Sequence, residues 1–394
     1  DGENRSSLSV TRSLGKKGYR VIVCGKEFRN ISSVSRYCHK GYKVGDPNRN
    51  DNSYFNRVLE IILKENIEMV FPMSDSTICI LNKNRNNVPQ NAIIACPDDD
   101  KVEPIVNKYS LFRIAEANGI LIPKTVFFGN RQEYFSKEPE LPEFPLVIKP
   151  FKSRIPTANG SIPARVMYAN HLKELNTLIK RGDTFDYPFL IQERILGPGT
   201  GLFTLFDKNK HIALFSHKRL REKPPSGGVS VLCESVSLDE EMVEASKTLL
   251  SIVEWTGVAM VEFKRDRRDG KVKLMEINGR FWGSLQLAIE SGIDFPCLLI
   301  DYLGHKVPEQ IIDKYRVGVR LKWILGTLDH LLIRLKNKNE RLNLPEDSPS
   351  RTRAVVEFLK IKEKNTKFDV FDFHDLSPFL LECRDYLSDI IVSS

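Results

Sequence analysis

The chain has 394 residues, 41% hydrophobic and 28% charged, with 59 Lys and Arg against 51 Asp and Glu for a net charge of +8. That length exceeds one ordinary core and predicts two or three domains of a soluble globular protein. The apolar runs are too short to cross a bilayer and no signal-peptide pattern opens the sequence, so a cytoplasmic protein with no membrane partner is expected.

In chain order, SLSVTRSLGKKG reads as a helix and YRVIVCG as the buried strand after it, together residues 7 to 25. SYFNRVLEIILKEN (53–66) has helical spacing, and IEMVFPM and NAIIACP read as further apolar strands. Strands alternating with helices imply a parallel α/β sheet, expected over residues 1–104. A helix over 107–118 stops at Gly119, which suits the C′ position. FPLVIKP then reads as an apolar strand, followed by a Gly-, Pro- and base-containing loop, FKSRIPTANGSIPAR. FLIQERIL, GLFTLFDKNKHIALFSH and VAMVEFKRDRRDGKVKLMEINGR read as strands and hairpins, with helices over 239–256 and 284–293. A second unit over 105–304 is therefore expected. Residues 305–394 read as a basic, largely helical extension whose clearest amphipathic stretch is KWILGTLDHLLIRL. The fold class is thus α/β followed by α+β, with a helical tail.

The basic excess suits anionic partners. The basic residues are mixed with acids along the chain, with no aromatic-interleaved basic block and no zinc-finger spacing, so nucleic acid is not an expected partner. Seven Cys form no CxxC pair and sit among apolar neighbours, as in VIVCG and TICIL, which predicts reduced thiols. The His residues at 171, 211 and 217 are isolated and read as surface or structural groups.

Chemistry concentrates in KLMEINGRFWGS (273–284), where Glu276, Asn278 and Arg280 occupy every second position of an apolar strand and share one face. The segment before it turns at Asp269-Gly270. With a three-residue loop, Arg268 to Gly270, Glu262 falls directly opposite Glu276; a two-residue loop would send the pair to opposite faces. Like charges facing across a ladder are destabilising unless a cation lies between them. Glu262, Glu276 and Asn278 would then offer hard oxygens suited to Mg²⁺ or Mn²⁺, and Arg280 a planar fork for an anionic oxygen. Polar alternation on a solvent-facing strand explains the same spacing equally well.

Lys149 interrupts the strand FPLVIKP beside a flexible loop, as a phosphate contact or as a snorkelling surface lysine. No GxxxxGK[ST] or GxGxxG is present, and GPGTG (197–201) reads as a turn. HKRLREKPPSGGVS places Lys218, Arg219 and Arg221 before a Gly-Gly bend that could close over an anion. DVFDFHD, near the end, reads first as a packed edge strand or loop.

The order NKYSLFRIAEANGILIPKT, PLVIKP, FLIQERI, VAMVEFK, LMEINGRFWGS resembles the ATP-grasp superfamily, whose members include biotin carboxylase, carbamoyl phosphate synthetase and the D-alanine and D-aspartate ligases. The resemblance covers about residues 105–304, and more loosely 1–104. It implies ATP held between two α+β subdomains. Lys108 and Lys149 match the nucleotide-phosphate lysines, Glu193 the acceptor for the adenine amino group, and Ile195 a backbone contact to the base. Glu262, Glu276 and Asn278 match the magnesium ligands, Arg280 the arginine on the acyl-phosphate side, and Lys218 or Arg219 the base near the γ-phosphate. Two departures stand out. The strand that normally precedes the first helix is missing or lies upstream of Asp1, and SRIPTANGSIPAR, in the place of the phosphate-covering loop, has one glycine. The expected activity is ligation of a carboxylate to an amine through an acyl phosphate, releasing ADP and phosphate, with Arg219, Arg221 and Arg280 as candidates to clamp the acid. A bicarbonate-using carboxylase or carbamoyl-phosphate enzyme, or a non-catalytic nucleotide- or nucleic-acid-binding protein, are the alternatives. The tail could cap the core, shape the acceptor site or join a homodimer.

Overall fold

The computed structural model describes residues 1–49, 51–137, 140–157, 160–337, 342, 344, 348–360 and 365–393. The N-terminal segments form parallel strand pairs, Ile22–Gly25 with Lys40–Lys43 and Met69–Val70 with Ile93–Ile94. Helices Arg5–Lys16, Asp51–Glu65 and Asp75–Lys83 pack around them. Their core is a cluster that includes Tyr54, Phe55, Ile61 and Ile94. The two pairs are not hydrogen-bonded to each other among the described residues, and a groove of about 400 Å³ lies between them, lined by Val23, Met69 and Val70 among others.

Helix Lys108–Ala117 opens the second unit. Asn107 caps it by accepting from the Tyr109 and Ser110 amides, and Gly119 follows it at φ +69. A four-stranded antiparallel sheet comes next, in the order Thr125–Phe128, Phe189–Glu193, Leu146–Pro150, Met167–Ala169. One face is sealed by a core that includes Phe128, Leu146, Ile148 and Phe189. The stretch after Lys149, expected to be a loop, is instead an antiparallel hairpin of Arg154–Thr157 with Gly160–Pro163. Residues 158 and 159 of that stretch lie outside the described residues.

A seven-stranded sheet forms the larger lobe, in the order Val272–Asn278, Thr256–Arg265, Gly199–Asp207, Lys210–Lys223, Val229–Ser235, Arg320–Lys322, Thr366–Phe368. It is buried on both faces, one core holding Phe203, Phe215 and Trp282 and the other Trp255, Phe263 and Leu274. The last two strands come from beyond residue 304, so the boundary drawn there does not separate the sheet from the tail. Among the described residues, 305–394 carry the helices Ile324–Lys336, Arg351–Leu359 and Ser377–Ser393, and also complete the sheet. Their strands, RLK and TKF, are too short to offer an alternation from which to read them.

The hairpin at the sheet edge reaches the expected register by another route. Its loop is four residues, Arg267 to Gly270, with the Asp266 amide donating to Lys271 O and the Gly270 amide to Asp266 O. Alone, this loop would put Glu262 and Glu276 on opposite faces. A bulge that leaves Met275 as the extra residue restores the phase, so Glu262 does face Glu276, and Met260 faces Asn278.

Candidate active site

A cleft of about 380 Å³ opens between the two sheets. From the smaller sheet, Val147, Lys149 and Gln192 face it. From the larger come Arg219, Glu262, Lys264, Glu276 and Asn278, with Arg280 just beyond the last strand and the Gly227-Gly228 bend at the mouth. Lys108 enters from the capped start of its helix, whose first amide donates to Phe151 O and so fixes the helix to the end of the Lys149 strand.

The two facing carboxylates have opposite electrostatics. Burial pushes Glu262 up to about 7 against the pull of Arg219, and neighbouring Glu276 and Glu222 add to the rise. Desolvation acts on Glu276 too, but Lys108, Asn278, Arg219 and Lys149 outweigh it and hold that carboxyl at about 2. Arg219 pairs with Glu262 and, at 2.8 Å, with Glu222, and it also donates to Gly228 O. Lys108 lies 3.7 Å from Glu276. Lys149 is desolvated, with Lys108 near it, and falls to about 8.

Among the described residues no three His, Cys, Asp or Glu side chains converge. The candidate metal set is therefore two carboxylates and an amide, whose hard oxygens fit Mg²⁺ or Mn²⁺. Asn278 donates its NH₂ to Glu276 (3.0 Å) and accepts from Arg280 (3.2 Å) with its oxygen. Ligation through that oxygen requires the amide to turn over. Arg280 is oriented by Asp75, at 2.8 Å, from the start of helix Asp75–Lys83.

Three expectations need correction. Lys218 does not line the cleft: it follows the strand alternation to the other face and pairs with Glu234 at 2.8 Å, leaving Arg219 as the cleft residue. Arg221 pairs with Glu357 at 3.0 Å, outside the cleft lining, because bulges on both sides of it re-aim the strand. Glu193 lines the cleft, but its oxygens accept from the Lys124 amide, Arg268 and Lys273. Its carboxylate thus braces the base of the hairpin and is not a free acceptor. Ile195 is buried in the cleft lining, and its carbonyl accepts from Lys264 at 3.5 Å.

Gln192 was not singled out from sequence. It is 1% exposed, donates to Thr125 Oγ1 at 2.8 Å, and its Oε1 has no hydrogen-bond partner among the described residues. Strand alternation was the available signal. Gln192 opposes Val147 and shares a strand face with Lys149, whereas Glu193, opposite Leu146, alternates to the other face.

A family model described as "ATP-grasp in the biosynthetic pathway with Ter operon" matches residues 189–327. The chain is 26% identical over 199 residues to a D-aspartate ligase of Enterococcus faecium, a match covering 47% of each protein, so it spans about half the length of that curated relative. Among solved structures it resembles an L-amino acid ligase from Bacillus licheniformis, with TM-score 0.56 and 17% identity over 76% of this chain and 71% of that one. It also resembles a biotin carboxylase from Campylobacter jejuni, with TM-score 0.61 and 14% identity over 81% of this chain and 72% of that one. The structural likenesses carry the fold, and the match to the ATP-grasp family model is confined to residues 189–327.

Proposed function

We propose that the protein is an ATP-dependent carboxylate–amine ligase that converts a substrate acid to an acyl phosphate and passes the acyl group to an amine. The observation that carries this reading is Glu262 facing Glu276 at a cleft also lined by Lys108, Lys149 and Arg280. The sequence relative, a D-aspartate ligase, supports ligation over carboxylation; the biotin carboxylase likeness bears on the fold alone.

In this reading Lys108 and Lys149 hold the nucleotide phosphates, and Gln192 Oε1, in place of Glu193, accepts from the adenine amino group beside Ile195. Glu262, Glu276 and Asn278 would hold Mg²⁺ (or Mn²⁺), which would supply positive charge to offset that developing during phosphoryl transfer. Arg219 steadies the terminal phosphate once Glu262 is engaged elsewhere, and Arg280 steadies the acid as its carboxylate gains the phosphoryl group. Phosphoryl transfer needs positioning more than a protein nucleophile, so this set is chemically sufficient. Residues 105–304 form the catalytic core, 1–104 the preceding α/β unit, and 305–394 an extension that completes the large sheet. A cytoplasmic setting agrees with seven free thiols.

The test is ADP release from ATP and Mg²⁺ across a panel of acids and amines. Release that requires both an acid and an amine is expected. Nucleotide binding without acid-dependent ADP release would overturn the ligase assignment.

A further inference from the structure

Helix Arg5–Lys16 presents two arginines seven residues apart, hence on one face, to the DVFDFHD loop of the tail. Arg12 is sealed. It is 3% exposed, donates through Nε to Asp375 at 2.9 Å, and gives its other nitrogens to the Asp369, Val370 and Asp375 carbonyls. Asp375 is likewise filled, accepting also from Ser35 and the Arg36 amide. Together they form a latch.

Arg5 is built differently. It lines the cleft and rests 4.1 Å over the Trp323 ring. Asp369 holds it from the tail side, and its remaining described contact is a 3.3 Å bond to Ser230 O. Further N–H groups are therefore left over on the cleft side. Gly283, three residues after Arg280, makes room for it: a Cβ there would lie 3.2 Å from Arg5 Nη2. Trp282, 2% exposed in the same wall, has an Nε1–H with no acceptor among the described residues. This end of the cleft thus offers donors from Arg5 and Arg280. Each arginine is held from behind by a carboxylate, Asp369 for Arg5 and Asp75 for Arg280.

We propose that Arg5, oriented by Asp369 and stacked on Trp323, binds an anionic group of the acid substrate other than the carboxylate that is activated. The substrate acid is then dianionic, carrying a second carboxylate or a phosphate. This rests on the ligase reading above and gives the tail a part in substrate choice, with Asp369 as a positioning residue. A guanidinium with spare N–H groups in a half-enclosed cleft recognises such oxygens through paired, charge-assisted hydrogen bonds.

The experiment uses the full chain with ATP, Mg²⁺ and hydroxylamine as the accepting amine, and measures ADP release. Matched acids separate the charge from the size: succinate against butyrate, and 3-phosphoglycerate against glycerate. At least one dianionic acid is expected to exceed its monoanionic counterpart in kcat/KM by about 10-fold or more. Which pair shows the preference decides between carboxylate and phosphate as the second anion. Arg5→Gln and Asp369→Asn should each raise KM for that acid by about 10-fold with KM for ATP unchanged, and Arg5→Lys should recover part of the loss. Equal use of butyrate and succinate and of glycerate and 3-phosphoglycerate would overturn the proposal while leaving the ligase reading standing. So would an Arg5→Gln protein that melts earlier yet keeps its KM for the acid, since Arg5 would then be a brace like Arg12. If none of the acids raises ADP release although ATP binds, both this proposal and the ligase reading fall.

Discussion

The two sheets that face each other across the cleft carry very different electrostatic loads. The four-stranded sheet presents the desolvated Lys149 and the Gln192 amide, and its Glu193 carboxylate is taken up by Arg268 and Lys273. The seven-stranded sheet brings Arg219, Glu222, Glu262, Lys264, Glu276 and Asn278, from three of its strands, to the cleft. Its packing explains why it can. With apolar cores on both faces it can hold like charges opposite one another, whereas the smaller sheet has a single packed face. Under the ligase reading proposed above, this division gives phosphate contact to the lighter lobe and cation chemistry to the heavier one. Substitutions on the two sides should therefore fail in different ways.

The largest effect is expected on the heavier side. Glu276→Gln should lower kcat by at least about 10²-fold while cooperative unfolding is retained, measured by steady-state ADP release and calorimetry. Next, Arg219→Met leaves Glu262 and Glu222 without their shared partner and should cost about 3 kcal/mol in denaturant unfolding. The double variant with Glu262→Gln should recover much of that, and an additive loss would show that the pair is uncoupled.

Lys149→Met, on the lighter side, should separate binding from stability. The ammonium lies 5.2 Å from the Phe112 ring and has no hydrogen-bond partner among the described residues, so its removal should leave stability unchanged or improved. KM for ATP should nonetheless rise about 10-fold. A pH titration sharpens the same point. Lys149 has a folded value near 8 against 10.5 in an unfolded chain, so between those values the unfolded state binds the extra proton. Its contribution to stability therefore rises with pH from about 8 towards 10.5, and below 8 its cost is fully in place. Wild type minus Lys149→Met should show that slope. The smallest effect belongs to Lys218→Ala, one residue from Arg219 but on the other face. A change within about 0.5 kcal/mol and unaltered kinetics are expected, because Lys218 is partly exposed and Glu234 keeps Arg320 as a second partner.

These contrasts also mark what was legible in the sequence. Strand alternation placed Glu276, Asn278 and Arg280 on one wall because it is a local rule that burial enforces. It also separates Lys218 from Arg219 once one of them is known to face the cleft. Loop length was less secure. The three-residue loop was wrong, and the predicted register held because of a bulge at Met275 that no turn residue announces. Partners distant in sequence left no local trace. Nothing near Arg221 signals Glu357, nothing near Glu193 signals Arg268, and Arg5 meets Asp369 across 364 positions. DVFDFHD looked like packing and does pack, but its buried acids were chosen for arginines on the first helix.

The central claim is that Glu262 and Glu276 share one divalent cation with the nucleotide. Electron paramagnetic resonance of Mn²⁺ titrated into the protein with ADP tests it without requiring knowledge of the acid or the amine. The wild type should bind nucleotide-dependent Mn²⁺, and the Glu262→Gln/Glu276→Gln protein, folded by circular dichroism, should lose it. Equal Mn²⁺ binding by the two proteins would contradict the assignment and leave the facing carboxylates as a purely structural pair.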